Sequence, residues 1–158
     1  MKTILAPVDF SDITDQVVAE AKTLALTFGG RVVLVHAVRP PIIINEYAPE
    51  AERLAEDEQQ SAETALGRWH RELQSSGVEA EAVVRHDYPV AAILEEAHQA
   101  RADYIVMGSH GRTALHDLLV GDTAHGVLRK APCPVLIVPA PRYVRGSAAP
   151  SSGAAASG

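Results

Sequence analysis

Short apolar runs and longer amphipathic stretches alternate along the chain. Thr3 to Val8 is apolar and β-prone, the pattern of a first strand buried on both faces. Asp9-Phe10-Ser11-Asp12 supplies turn and capping residues. Val17, Val18, Ala21, Leu24, Ala25 and Phe28 then recur at helical spacing, and Gly29-Gly30 marks a left-handed helix end. Arg31 to Val38 predicts a second strand built on Val32, Val33, Leu34 and Val35, stopped by Arg39-Pro40-Pro41. Glu50 to Ser75 predicts a long helix, apolar on Leu54, Ala55, Ala62, Ala65, Leu66, Trp69 and Leu73 and charged elsewhere, with Trp69 in the core. After Gly77, Val78 to Arg85 alternates, which fits an edge strand. Asp87-Tyr88-Pro89 opens a helix carrying Val90, Ile93, Leu94 and Ala97. Asp103 to Met107 predicts a fourth strand. A last helix starts at Asp122 or Thr123 and ends at Ala131-Pro132, and Pro134 to Val138 forms a fifth strand.

Strands and helices in strict alternation predict one α/β domain, a parallel sheet with helices on both faces. The domain is expected to span residues 1–140. Residues 141–158 end in a stretch of only Gly, Ser, Ala and Pro, too poor in apolar side chains to build a core, and read as a disordered tail. Residues 39–49 carry prolines and Ile42-Ile43-Ile44. They read either as a mobile flap beside the strand ends or as a loop packed on its own domain. Residues 113–120, with Leu115, Leu118 and Leu119, read as a turn or brief helix over the strand ends.

Composition narrows the function classes. The 158 residues carry 14 Lys and Arg against 20 Asp and Glu, a net charge of −6. That balance opposes non-specific nucleic-acid binding, which needs basic surface to neutralise phosphates. A lone cysteine, Cys133, excludes an internal disulfide framework and a cysteine-rich zinc site. Set between Pro132 and Pro134, it reads as a small buried apolar residue. No apolar run approaches the ~20 residues of a membrane span, and the N-terminus lacks the pattern of a signal peptide. A cytoplasmic location is the expectation.

The chemistry concentrates where Ile105-Val106-Met107 runs into Gly108-Ser109-His110-Gly111-Arg112, with Gly121-Asp122-Thr123-Ala124 opening the last helix. A buried strand that ends in a glycine turn leaves backbone N–H groups pointing outward. A helix start adds more N–H groups and the positive end of a dipole, and together they suit a phosphate or another anion. The spacing Gly-x2-Gly-x9-Gly, the closing Pro132-Cys133-Pro134-Val135-Leu136-Ile137-Val138-Pro139 and the opening Ile4-Leu5-Ala6-Pro7-Val8-Asp9-Phe10-Ser11 resemble the universal stress protein family over about residues 2 to 139. The nucleotide-binding branch of that family places Ser or Thr after the third glycine. This chain has Asp122 there.

The resemblance implies a Rossmann-like fold of the adenine-nucleotide alpha-hydrolase type, with five parallel strands in the order 3-2-1-4-5. Ligands then bind at the carboxyl ends of strands 1 and 4, where the order reverses. It implies ATP or another adenine nucleotide as ligand. Pro7, Asp9 and the backbone near Val38 would lie by the adenine and ribose. Met107, Gly108, Gly111 and Arg112 would run along the ribose and phosphates, and Gly121, Asp122, Thr123 and Ala124 would meet the phosphate tail. Asp9 has a second reading, as a cap for the helix that follows. Asp122 would repel phosphates and, as an N-cap, would occupy the amides they need; Arg112 or a bridging magnesium ion would offset it. The resemblance also implies a homodimer through the fifth strand, residues 134–138.

No metal-ligand spacing joins the seven histidines. His110 is expected to shape the glycine loop. Ser11 and Ser109 have no base paired by spacing, and no Walker-type loop is present, so fast ATP hydrolysis is not expected. Two readings remain: a stress-response regulator that binds an adenine nucleotide, and a dimeric interaction protein that uses the fold without nucleotide. A phosphoacceptor receiver fits poorly, because His86-Asp87 and Pro139 stand where it would need Asp and Lys.

Overall fold

A computed structural model describes residues 1–42, 48–110 and 120–140. Nine elements follow one another: β1 (Thr3–Pro7), α1 (Thr14–Phe28), β2 (Arg31–Val38), α2 (Ala48–Ser75), β3 (Glu79–His86), α3 (Pro89–Gln99), β4 (Tyr104–Gly108), α4 (Asp122–Lys130) and β5 (Val135–Val138). The strands form one parallel sheet in the order β3-β2-β1-β4-β5, as the resemblance implies. Boundaries differ from the sequence expectation by a residue or two, the usual scatter at element ends. α2 starts earlier, at Ala48, because Pro49 sits in its first turn, where a missing N–H costs nothing.

The central strands are buried on both faces because helices cover both. Ile4 and Ala6 of β1 face one core with Val32 and Leu34 of β2, Val17 and Val18 of α1, and Leu66, Trp69 and Leu73 of α2. Leu5 faces the other core with Val33, Val35, Ile105 and Met107, beneath Ile93 and Ala97 of α3 and Val127 of α4. The period-2 alternation of side chains thus feeds two cores from one continuous apolar run. β3 lies at an edge, as its alternation predicts, with Glu79 and Glu81 exposed. Gly29 closes α1 at φ 60°, the left-handed conformation a glycine end supplies cheaply.

Polar contacts fasten the periphery. At the amino edge of the sheet, Asp103 accepts the Thr3 N–H at 2.8 Å and pairs with Lys2 Nζ at 2.9 Å, joining the start of β4 to that of β1. Outside β3, Glu96 of α3 is 5% exposed, and its Oε2 accepts from Arg85 Nε at 2.7 Å and Nη2 at 2.5 Å. At the carboxyl edge, Gln59 Oε1 of α2 accepts from His86 Nε2 of β3 at 2.7 Å. Among the described residues, no helix is long and apolar enough to cross a membrane.

Candidate functional site

The strand order reverses between β1 and β4, which lie side by side. The chain leaves β1 and β4 towards helices that lie on opposite faces of the sheet, the topology at which open parallel sheets form a crevice at their carboxyl ends.

On the β1 side, the Val8 N–H donates to the Val35 carbonyl at 2.9 Å, and His36 Nδ1 donates to the Val8 carbonyl at 2.8 Å. Asp9 is partly exposed, and its Oδ1 accepts the Ser11 N–H at 3.0 Å. Asp9 thus holds the turn through one carboxylate oxygen, and the expectation that it caps the following helix is corrected: α1 starts at Ile13 with no side-chain cap. Phe10 has φ 61°, in the left-handed region that costs an aromatic residue about 1–3 kcal/mol. Stacking holds it there. Its ring lies 4.1 Å from that of His36 and 5.7 Å from that of Trp69, which donates Nε1–H to Asp15 Oδ1 at 2.8 Å. Sequence reasoning did not single out Phe10; an aromatic side chain between turn-forming polar residues was the available signal.

α1 begins without a side-chain cap, at Ile13. Ser11 Oγ and Thr14 Oγ1 beside it are buried and have no hydrogen-bond partner among the described residues. Buried polar atoms are nearly always paired, so these two hydroxyls are exceptions at the start of α1.

On the β4 side, Met107 and Val38 are 4% and 0% exposed. The Met107 side chain belongs to the second core, so at both positions the main chain is what remains for a ligand. Gly108 has no room for a side chain. A Cβ there would stand 2.8 Å from Ile13 Cγ2 and 3.2 Å from the His110 carbonyl oxygen. The Ser109 N–H donates to the Val138 carbonyl at 2.8 Å, and the Gly121 N–H donates to the Ser109 carbonyl at 2.6 Å. Ser109 Oγ accepts the Ala140 N–H at 3.1 Å and lies 2.9 Å from His110 Nδ1. At 4% exposure, Ser109 ties the exit of β4 to Ala140 rather than offering a nucleophile.

These bonds dock the start of α4 against the exit of β4. Gly121 is the N-cap, with φ −73° and ψ 168° and no side-chain cap bond. Asp122 is therefore the first helical residue, and the expectation that it caps the helix is corrected. Its side chain is exposed. The first intrahelical bond runs from the His125 N–H to the Gly121 carbonyl at 2.9 Å. The amides of Asp122, Thr123 and Ala124 have no protein acceptor among the described residues, as the first turn of a helix dictates. They carry the positive end of the dipole towards the carboxyl edge.

Of the residues singled out, the fold thus brings Pro7 and Asp9 to one wall and Gly108, Gly121, Asp122, Thr123 and Ala124 to the other, with Val38 at the end of the next strand. Gly111 and Arg112 lie outside the described residues, as do residues 43–47 of the expected flap, residues 113–119 and the tail from 141. Cys133 is half-buried rather than buried, and burial raises its thiol above the ordinary 9.0, with Asp103 adding to the shift.

A model described as the universal stress protein family matches residues 1–139. The chain belongs to the universal stress protein family. It is similar to a universal stress protein of Thermus aquaticus, with 37% identity over 142 residues that cover 87% of this chain and 98% of that one. Among solved structures it resembles the universal stress protein UspA of Lactobacillus plantarum, with a TM-score of 0.80 and 25% identity over 87% of this chain and 97% of that one. A universal stress protein of Archaeoglobus fulgidus solved in complex with dAMP shares the fold, with a TM-score of 0.61 and 24% identity over 87% of this chain and 97% of that one. Universal stress proteins of this fold thus include one that holds a nucleoside monophosphate.

Proposed function

We propose that this universal stress protein binds an adenine nucleotide, ATP, in the crevice and acts in the cytoplasm as a dimeric regulator of the stress response. One observation carries the reading: the amides of Asp122, Thr123 and Ala124, without a protein acceptor among the described residues, start a helix that the Gly121–Ser109 bond docks against the exit of β4. An uncapped helix start of this kind is an anion site. The nucleotide held by the Archaeoglobus fulgidus protein agrees with it.

Phosphates take the amides of residues 122–124, and the Gly108 main chain passes close beneath them. If the family pattern transfers, Gly111 and Arg112 would run along the ribose and phosphates. Asp9 keeps one oxygen on the Ser11 amide and turns the other, Oδ2, to a ribose hydroxyl. The main chain at Pro7 and Val38 flanks the base. With magnesium present, the exposed Asp122 carboxylate would be a ligand for the ion, which would offset its repulsion of the phosphate tail. The role is binding rather than turnover, and occupancy biases the dimer formed through residues 134–138. There the unpaired edge of β5 carries Leu136, 41% exposed.

Calorimetry of the full chain with ATP, ADP and AMP, with and without magnesium, tests the proposal. Micromolar binding that strengthens from AMP to ATP supports it. Silence with every nucleotide overturns it and favours the nucleotide-independent interaction protein, whose free β5 edge would then be the functional feature.

A further inference from the structure

α2 is longer than the sheet it covers. Its 28 residues run about 42 Å at 1.5 Å per residue, whereas the 8 residues of β3 span roughly 26 Å. The Gln59–His86 bond sets Gln59 level with the last residue of β3. The helix before it, residues 48–58, therefore rises roughly 15 Å beyond the carboxyl edge. Burial follows the same division. Over the sheet, Ala62, Leu66, Trp69 and Leu73 are at most 7% exposed. Above it, Ala51 and Ala55 continue the stripe but are only half-buried, and Leu54 beside them is 69% exposed.

The overhang has a definite chemistry. Ala51, Leu54 and Ala55 stand at i, i+3 and i+4, the spacing by which one helix anchors another, and the alanines let a second backbone come close. Glu58, four residues after Leu54, stands on the same face, and Glu50 and Glu52 border it; all three are exposed. We infer that this overhanging face docks a basic amphipathic helix of another protein. A second copy of the chain would set carboxylates against carboxylates, and a nucleic acid or an anionic membrane would meet the same repulsion. A cationic helix with an apolar stripe satisfies both the alanine–leucine seam and its acidic borders. This surface does not depend on the nucleotide reading.

The probe is a fluorescein-labelled helical peptide of Leu and Lys at heptad spacing, titrated with the full chain and read by anisotropy. Saturable binding is expected, weakening as salt rises. Leu54→Gln should weaken it about tenfold or more, because an apolar anchor is lost. The double change Glu52→Lys and Glu58→Lys should weaken it and flatten the salt dependence. A peptide with Gln in place of Leu, its charge kept, should not bind. No binding overturns the inference. So does equal binding by Leu54→Gln or by the Gln peptide, which would leave charge attraction alone. If Leu54→Gln instead lowers the sedimenting mass of the protein, a second copy owns the face and the inference also falls.

Discussion

Asp122→Ser should move ligand affinity and fold stability in opposite directions. Asp122 is the first residue of α4, exposed, with Gly121 already serving as the N-cap. Its carboxylate acts on two partners. With the amides of its own helix it is favourable, by about 0.3–1 kcal/mol at an exposed helix start. With a phosphate bound at the same amides it is unfavourable. Two unit charges about 4 Å apart interact by about 4 kcal/mol at an effective dielectric of 20, but only about 1 kcal/mol in water. The exposure of this side chain puts it near the water limit, so the penalty is about 1 kcal/mol, close to a fivefold change in affinity. The serine variant should therefore bind ATP about fivefold tighter without magnesium, as read by calorimetry at low salt. The gain should be smaller for AMP, which brings less charge, and should vanish near 1 M salt, where the Debye length is about 3 Å. Its thermal midpoint should fall by roughly 1–4 °C. Unchanged affinity at low salt would refute the reasoning by showing that the carboxylate and the ligand do not share a field. A loss confined to magnesium-containing buffer would show instead that Asp122 holds the cation.

Gly108→Ala should cost about 1–3 kcal/mol in urea unfolding and weaken nucleotide binding, because its Cβ meets Ile13 Cγ2 at 2.8 Å. Ile13→Ala in the same chain should recover part of the loss, and simple additivity of the two changes would argue against that contact. Glu96→Gln should destabilise by about 2–3 kcal/mol, short of the usual cost of breaking a buried pair because the Arg85 side chain, at 31% exposure, still reaches water. A change under about 0.5 kcal/mol in the same assay would show that the pair contributes nothing. Lys2 and the Thr3 amide hold the Asp103 carboxyl below its ordinary 3.8. A lowered folded value means stability that is full above the unfolded value and is lost as pH falls through the folded one. Denaturation midpoints of the wild type should therefore drop below about pH 4, and Asp103→Asn should show a shallower drop. Parallel curves would remove Asp103 from the account.

The architecture was legible because its signals are local. The continuous apolar run of β1, the exposed Glu79 and Glu81 of β3, Pro89 at the start of α3 and Gly29 after α1 each reflect constraints that neighbouring residues impose. The crevice was legible only in part. Sequence logic assigns a positive φ to glycine or asparagine, so the conformation of Phe10 was invisible. It depends on Trp69, which reaches Phe10 only once α2 has packed. Asp9 could cap or bind, and the bond to Ser11 became visible only with the turn in place. The inward direction of Met107 was readable in principle, since it shares the strand phase of Ile105 in the second core.

Asp122 shows the consequence most clearly. A one-residue shift in where α4 begins separates a side chain that occupies the amides from one that stands beside them. Because Gly121 caps the helix through its backbone alone, the donors at residues 122–124 exist whatever side chain follows the glycine. A site made of main-chain amides is encoded by where helices start and where Cβ atoms are excluded, as at Gly108, and not by a set of polar side chains. Under the proposed function, the departure from Ser or Thr at position 122 would adjust how strongly an anion is held, while the main-chain donors remain.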